Sequence, residues 1–508
     1  MILIHPPVTK PAEPPAGIAK LSSCLQAYNI NHWVIDANLE GIIYLLQETA
    51  DKNKAIDRWT KRAVKNLPRN LAALRNIATY GNKSMYQQVV SDIDRLLKIT
   101  GKAGGVDLSL ADYHGSNLTP VKSSDLICAA EKYQVNPFYP YFETHLTGAL
   151  KEGPEFIGFS LNYLSQALCT FAMIGFIKSI NPKQKIILGG SLVTSWVKLG
   201  ICDDIFNGLV DEMVAGAGEK KLLELLGIND DRLNYPPDYR VFFGNQYFAP
   251  GIILPYSSSR GCYWHNCAFC PEKSEENPYL PLPVSQALEE LQALTRQTNP
   301  ALIHLLDNAI SPALLAALAQ EPLGIPWYGF TRVTSNLADD DFCSALKKSG
   351  CVMLKLGIES GDQEVLDRLN KGIDLPTASA VLKSLKKAGI ATYCYFLFGT
   401  PAETDAGARK TLEFVCQHHD CIDFLNLAIF NLPSGSIEAQ SLETGDFYEG
   451  DLSLYKSFQH PLSWNRPVVR NFLEKTFKKH PAVVPIVRRM PEYFTSNHAP
   501  FFVLNKAY

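Results

Sequence analysis

Between residues 252 and 430, six short apolar runs each give way to a helical pattern, and this repetition leaves few folds open. The runs are 252–257, 302–306, 326–331, 352–358, 392–398 and 424–430. Strand–helix alternation at this spacing predicts parallel strands joined by crossover helices. Six such units in about 180 residues predict a barrel or partial barrel whose reactive groups gather at the carboxyl ends of its strands. Those ends are polar where the strands are apolar: Asp307, Asn308, Arg332, Glu359 and Ser360. Ser311-Pro312 marks a helix start, an N-cap followed by proline in the first turn.

The first third shows the same alternation with a break in it. Strands are expected near 2–4, 32–35, 156–161, 185–191 and 209–215, and helices from Pro15, over 166–180 and over 220–226. A charged, helix-rich insertion with little strand signal covers about 40–150. The pattern predicts a doubly wound parallel sheet over 1–230, with ligands at the strand carboxyl ends. Pro6, Asp36, Asn162, Gly189, Gly190, Gly216 and Gly218 are expected to rim one pocket there. Residues 231–250, rich in Asn, Asp, Pro, Tyr and Gly, read as a linker. Residues 251–435 read as the barrel and 436–508 as a small, mainly helical C-terminal region. Within the latter, Arg466, Arg470, Lys475, Lys478, Lys479, Arg488 and Arg489 face one acid, Glu474, the pattern of a solvated basic helix.

Composition excludes several classes. The chain has 508 residues, 46% hydrophobic and 19% charged, which suits two or three globular domains. A net charge of −3 favours neither nucleic acid nor a strongly acidic partner. The first residues lack a basic segment followed by an apolar one, so no secretory signal is expected. No run is long and apolar enough for a membrane span. Cys24, Cys128, Cys169, Cys202, Cys343, Cys351, Cys394, Cys416 and Cys421 sit among apolar neighbours and read as small buried hydrophobes in a reducing, cytoplasmic compartment.

The other three cysteines lie in Arg260-Gly-Cys-Tyr-Trp-His-Asn-Cys-Ala-Phe-Cys270, directly after the first barrel strand. Three uses fit Cys262, Cys267 and Cys270. A structural zinc ion would need His265 or a distant residue as fourth ligand, and such sites usually come as two close pairs. A plant-type ferredoxin cluster shares the C-x4-C-x2-C spacing but needs a fourth cysteine, and the next is Cys343. An open [4Fe–4S] cluster would leave one iron for a cofactor or substrate.

The loop, with Ser259-Arg260-Gly261 before it and Phe269 ahead of the third cysteine, resembles the radical S-adenosylmethionine (AdoMet, SAM) superfamily. Gly357-Ile-Glu-Ser-Gly361 with Val365-Leu-Asp-Arg-Leu-Asn-Lys-Gly372 resembles that family's fourth-strand region. Ala388-Gly-Ile390 and Gly399-Thr-Pro-Ala-Glu-Thr404 resemble its fifth. The commonest family spacing is C-x3-C-x2-C, and the longer loop here is similar to relatives that carry a cobalamin domain. Pro14-Pro15 with Gly17, Val34-Ile35-Asp36, Ile157-Gly158-Phe159-Ser160, Leu188-Gly189-Gly190 and Gly216-Ala-Gly-Glu219 resemble that cobalamin-binding domain. The D-x-H-x-x-G motif that would give cobalt a lower histidine ligand is lacking. Asp112-Tyr-His114-Gly-Ser-Asn117 comes near it but lies inside the insertion.

The resemblance implies a Rossmann-like cobalamin-binding domain ahead of a partial (β/α)6 TIM-like barrel. It implies a [4Fe–4S] cluster on the three cysteines, AdoMet on the fourth iron, and a 5′-deoxyadenosyl radical that abstracts a substrate hydrogen. Asp307 and Asn308 are then candidates for the AdoMet ammonium, and Arg332 and Lys371 for its carboxylate. Glu359 and Ser360 are candidates for the ribose hydroxyls, and Phe269 and Gly399 for the adenine. Glu359 and Tyr395 are candidate catalytic groups. The expected reaction is cobalamin-dependent methylation of an unactivated carbon on a small-molecule, lipid or peptide substrate, with flavodoxin or ferredoxin as electron donor. The alternatives are cyclisation or rearrangement without methyl transfer, a non-catalytic cobalamin or iron–sulfur sensor, and a structural zinc protein.

Overall fold

The computed structural model describes residues 1–51, 57–201, 203–230, 232 and 234–505, so the reading of Cys202 as a buried hydrophobe falls outside it. The chain divides into two compact units. The first comprises 1–79, 84–250 and 448–454, and the second 80–83, 251–447 and 455–508.

The first unit is built on five parallel strands, in the order Trp33–Ile35, Ile2–Ile4, Phe156–Ser160, Lys185–Gly189, Glu212–Val214. Ile2, Leu3, Ile4, Ile157 and Phe159 are buried, as parallel strands covered on both faces must be. The order reverses at Ile2–Ile4, so the crevice between its carboxyl end and that of Phe156–Ser160 is the topological switch point. Gln166 closes that crevice. Its side chain donates to Pro6 O (2.7 Å) and accepts from Asn162 N (2.9 Å).

Three elements of this unit differ from expectation. The insertion is helical over Ala37–Asp51, Arg58–Leu74 and Lys83–Ala103, but then forms a hairpin, Val106–Leu108 with Tyr113–Gly115. His114 is exposed on that hairpin and pairs with Asp112 at 2.9 Å. Residues 231–250 are not a free linker, because Tyr235, Tyr239, Phe242, Tyr247 and Phe248 are buried in the unit. Their polar neighbours hid five aromatic anchors. Cys128 is half-buried, not a fully buried hydrophobe.

The second unit is a six-stranded parallel sheet with consecutive strands adjacent: Ile253–Tyr256, Leu302–Leu305, Trp327–Thr331, Cys351–Glu359, Ala391–Phe398 and Phe424–Ile429. This is the partial barrel. Ser311 caps Pro312–Gln320 by accepting from Leu314 N, as read from its sequence. The C-terminal region carries more strand than expected, because Leu432–Pro433, Tyr455–Phe458 and Thr444–Asp446 form an antiparallel sheet. The basic tail is not simply solvated. It breaks into Arg466–Phe472, Leu473–Phe477 and Val484–Arg489, and buries Val469, Phe472, Leu473, Phe477 and Ile486. Cys416, in the barrel helix Asp405–Gln417, is half-buried, with its thiol 3.1 Å from Nδ1 of His480 in the tail. No helix among the described residues is long and apolar enough to cross a membrane.

The helix Leu164–Ile180 is apolar on every side and buried from Gln166 to Ile177. It meets the helix Ser123–Glu131 so closely that a Cβ on Gly175 would lie 1.9 Å from Ala130 O. Gly175→Ala should therefore cost about 1–3 kcal/mol or more by overpacking. Gly148→Ala, where a Cβ meets open space, should be neutral or stabilise by up to about 1 kcal/mol. Urea unfolding of the two variants checks this; equal midpoints would contradict the packing.

Candidate cluster and cofactor site

Strand Ile253–Tyr256 delivers a serine turn, then the cysteine loop. Asp307, at the end of the next strand, accepts from Ser258 N (3.2 Å), Ser258 Oγ (2.7 Å) and Ser259 Oγ (2.6 Å). Gly261 is left-handed (φ 72°), and any Cβ there would lie 2.4 Å from Pro278 O. His265 is left-handed too (φ 51°). That conformation is where the longer spacing between Cys262 and Cys267 turns back on itself. Ala268 N donates to Leu369 O (2.9 Å), tying the loop to the turn after Gln363–Arg368.

Cys267 is buried, Cys262 and Cys270 are half-buried, and none forms a disulfide. Burial pushes the Cys270 thiol up to about 11 despite backbone N–H bonds from Glu272 and Lys273. Burial also raises Cys267, against the opposing pull of the Lys371 and Arg332 cations. Among the described residues, no three His, Cys, Asp or Glu side chains converge on one metal-ion position. Cys343 is buried elsewhere, its thiol donating to Leu337 O (3.2 Å).

The loop is held by a knot of side chains. Trp264 Nε1 donates to Asn370 O (3.0 Å), and the Arg332 guanidinium lies 4.2 Å over the Trp264 ring. Arg332 also donates to Lys371 O and contacts Cys267 Sγ at 3.8 Å. Lys371 Nζ donates to Glu359 Oε1 (2.8 Å), with both side chains buried, and lies 5.6 Å over the Phe269 ring. Glyine positions make the room: a Cβ on Gly357 would fall 2.5 Å from Glu359 Oε1, and one on Gly372 2.0 Å from Trp264. Glu359 itself is left-handed (φ 69°), beside a break in strand register between Gly357 and Glu359.

Several expected site residues have other work. Asp307 is committed to the serine turn and positions the loop, while Asn308 beside it is exposed. Ser360 is fully buried, accepting from Asp362 N (3.1 Å) and meeting Thr411 Oγ1 (3.3 Å), which leaves it a turn-former. Tyr395 is half-buried against Phe330 (5.1 Å), and burial pushes its phenol up to about 12, so it stays protonated at neutral pH.

In the first unit, Asp36 is likewise occupied. It accepts from Tyr247 Oη (2.6 Å) and Leu39 N (3.1 Å), and burial raises it to about 6. Asn162 accepts from Ser191 N (3.0 Å), joining two strand-end loops. Gly190 (φ 112°) passes so near Leu161 that a Cβ would lie 2.3 Å from its carbonyl oxygen. Gly216 (φ 71°) faces open space, Gly189 closes its strand and Gly218 opens a helix. His5, missed in the sequence, is buried beside Pro6 with Nδ1 lacking a hydrogen-bond partner, and burial lowers its pKa to about 4.

Glu403 was also missed, although its motif was visible. It is buried, and one oxygen accepts from Gly399 N (2.5 Å) and Trp464 Nε1 (2.8 Å), while Oε1 has no partner. Burial raises it to about 7. Gly399 and Trp464 line an open pocket of about 80 Å³ at the ends of the fifth and sixth strands.

Residues 256–415 match the model of the radical SAM superfamily. The chain is 26% identical over 301 residues to an uncharacterized methyltransferase of Pyrococcus horikoshii, covering 52% of this chain and 64% of that protein. It is 25% identical over 368 residues to hopanoid C-3 methylase of Methylococcus capsulatus, covering 64% and 69%. It is 27% identical over 279 residues to anaerobic magnesium-protoporphyrin IX monomethyl ester cyclase of Rubrivivax gelatinosus, covering 46% and 49%. The chain thus spans about half to two-thirds of these relatives' lengths. In structure it resembles the radical S-adenosylmethionine methyltransferase TsrM of Kitasatospora setae, solved with cobalamin and a [4Fe-4S] cluster, with a TM-score of 0.52. That match covers 86% of this chain and 76% of the other at 14% identity, a likeness of fold. The superfamily resemblance and the parallel α/β fold read from the sequence are both borne out.

Two outcomes test the site's architecture. Gly372→Ala should displace Trp264 and weaken iron retention after anaerobic reconstitution about tenfold, the scale of losing support behind a metal ligand. Unchanged iron per folded chain would show that the loop does not depend on this packing. Separately, Glu403 has a raised pKa, so its protonated form is favoured by folding and stability falls as pH rises from about 4.5 to about 7. Relative to Glu403→Gln, the parent should lose about 3 kcal/mol across that window in urea titrations. Parallel pH profiles for the two proteins would refute this.

Proposed function

We propose that this chain, whose residues 256–415 form a radical SAM domain, is a cobalamin-dependent enzyme that methylates a carbon of a small-molecule, lipid or peptide substrate. The observation that carries the reading is the cysteine loop: three free thiols at a strand end, with cations against one of them and Cys343 buried apart. Bound to that loop, a [4Fe–4S] cluster and AdoMet supply radical chemistry at the fourth iron, and cobalamin supplies a methyl group.

The chain's own residues bind and orient. Cys262, Cys267 and Cys270 hold the cluster. Arg332 places positive charge 3.8 Å from Cys267 Sγ, which favours the thiolate form. Lys371 and Glu359, locked together, are the polar groups assigned to AdoMet, with Arg332 as the fixed cation behind them. Phe269 and Gly399 remain the candidates for the adenine. Tyr395, half-buried against Phe330, remains a candidate catalytic group. In the first unit, Gly216, where a Cβ would meet open space, suits the close approach of a large flat cofactor.

The named relatives include both methylases and a cyclase, so cyclisation is the second reading. Product mass separates them, by a gained methyl group or by the loss of two hydrogens. The chain is expected to cleave AdoMet to 5′-deoxyadenosine once reconstituted anaerobically and reduced. Cys262→Ala, Cys267→Ala and Cys270→Ala should each abolish this, and Cys343→Ala should not. A cluster lost in the Cys343 variant would restore the ferredoxin reading; stoichiometric zinc without a cluster would overturn the enzyme reading.

A further inference from the structure

Cys416 and His480 form a nucleophile–base pair apart from the cluster and cofactor residues. Cys416 lies in the last turn of the helix Asp405–Gln417, which leads into the strand Phe424–Ile429. The pair therefore sits at the amino end of the parallel strands, whereas the cysteine loop follows the carboxyl end of the first. The thiol is 3.1 Å from His480 Nδ1 and 3.8 Å from Nε2, so it faces both ring nitrogens and lies nearer the first. Ala482 N donates to that same Nδ1 (3.3 Å). A backbone N–H can only donate, so Nδ1 accepts and the proton of the neutral ring sits on Nε2. The nitrogen nearer the sulfur is thus the one able to take its proton.

The base is held by backbone as well as by its ring. His480 N donates to Phe477 O (3.2 Å), and His480 O accepts from Val483 N (2.9 Å) and Val484 N (3.0 Å). Phe477 and Val483 are buried, which anchors the turn. Burial and Glu413, one turn earlier on the same helix, keep the Cys416 thiol protonated at neutral pH, so its reactivity depends on a neighbour that can remove the proton. His419 Nδ1 is engaged with Cys416 O (2.8 Å), and Lys479 is exposed beside His480. Cys416 and His480 are both half-buried, within reach of a small reagent, whereas Cys343, Cys351, Cys394 and Cys421 are buried. Among the described cysteines outside the loop, Cys128 is the other half-buried one.

We propose that Cys416 is a thiol–disulfide exchange site for small disulfides, with His480 as its base. His480 Nδ1 takes the thiol proton as Sγ attacks one sulfur of the disulfide. A new S–S bond joins Cys416 to that half, the old S–S bond breaks, and the other half leaves as a thiolate that recovers the proton from His480. The disulfide is the oxidant: one half is released as a thiol, and Cys416 is oxidised to a mixed disulfide. The exchange needs neither cluster nor AdoMet, so it stands apart from the radical reaction.

The test incubates the full chain at neutral pH with excess 2-hydroxyethyl disulfide, a neutral probe that the nearby charges do not steer. The adduct at each cysteine is followed in time by peptide mass spectrometry. Cys416 should be modified about tenfold faster than Cys128, a modest share of what a positioned base contributes. It should also react faster in the folded chain than in the urea-unfolded one, although folding half-buries it. His480→Asn keeps an acceptor for the thiol and for Ala482 N but removes the base, and should slow Cys416 about tenfold while leaving Cys128 unchanged. A Cys416 rate no higher than that of Cys128, or lower folded than unfolded, overturns the proposal and makes this an ordinary half-buried thiol. An unchanged Cys416 rate in folded His480→Asn overturns it too, by showing that the imidazole only packs there; the comparison of folded with unfolded parent chain decides the matter if that variant does not fold.

Discussion

The contact between Trp264 and the Asn370–Gly372 turn is the constraint on which the site depends. It pins a loop of mostly irregular backbone to the rigid fourth strand region. The indole is bonded at one edge by Asn370 O and covered by Arg332, and its ring occupies the space that any Cβ on Gly372 would need. Arg332 then reaches both Cys267 and the Lys371 carbonyl. One aromatic ring thus joins the thiols to the buried Lys371–Glu359 pair, and none of these groups can move far alone.

That buried pair is retained in spite of its cost. Taking two charges out of water is expensive, and a buried ion pair is weak evidence of stabilisation. Removing one partner leaves an uncompensated charge and costs far more than the pair contributes. Gly357 leaves room for both head groups and Glu359 accepts a left-handed backbone to reach its place. Backbone placed in a sparsely populated region beside buried charge is what a binding site looks like when geometry outranks stability. Glu403 follows the same pattern nearby, being buried, half satisfied and shifted towards neutrality.

Much of the fold was legible because it rests on local pattern. The six barrel strands were readable within a residue or two, since apolar runs between helical periods bury themselves in only one way. The Ser311 cap was equally local. Residues 231–250 were misread because their polar composition outweighed aromatic residues whose partners lie far off in sequence, such as Tyr247 on Asp36. The hairpin Tyr113–Gly115 was too short to show a strand period. In the candidate site, motifs singled out the three cysteines, Glu359 and Lys371, whereas the hydrogen bonds that Asp307 and Ser360 make to nearby serine and turn groups come from tertiary neighbours and could not be read from the sequence.

The sequence by itself determined the alternation of strands and helices, the cysteine spacing and the motifs that resemble the radical SAM superfamily, because these are properties of neighbours along the chain. Only the tertiary structure decided which polar side chains remain available at the strand ends. A carboxylate has the same identity whether it faces a ligand or a serine turn. Its role is set by which donors the fold brings within hydrogen-bond reach, and those donors come from other strands, loops and helices.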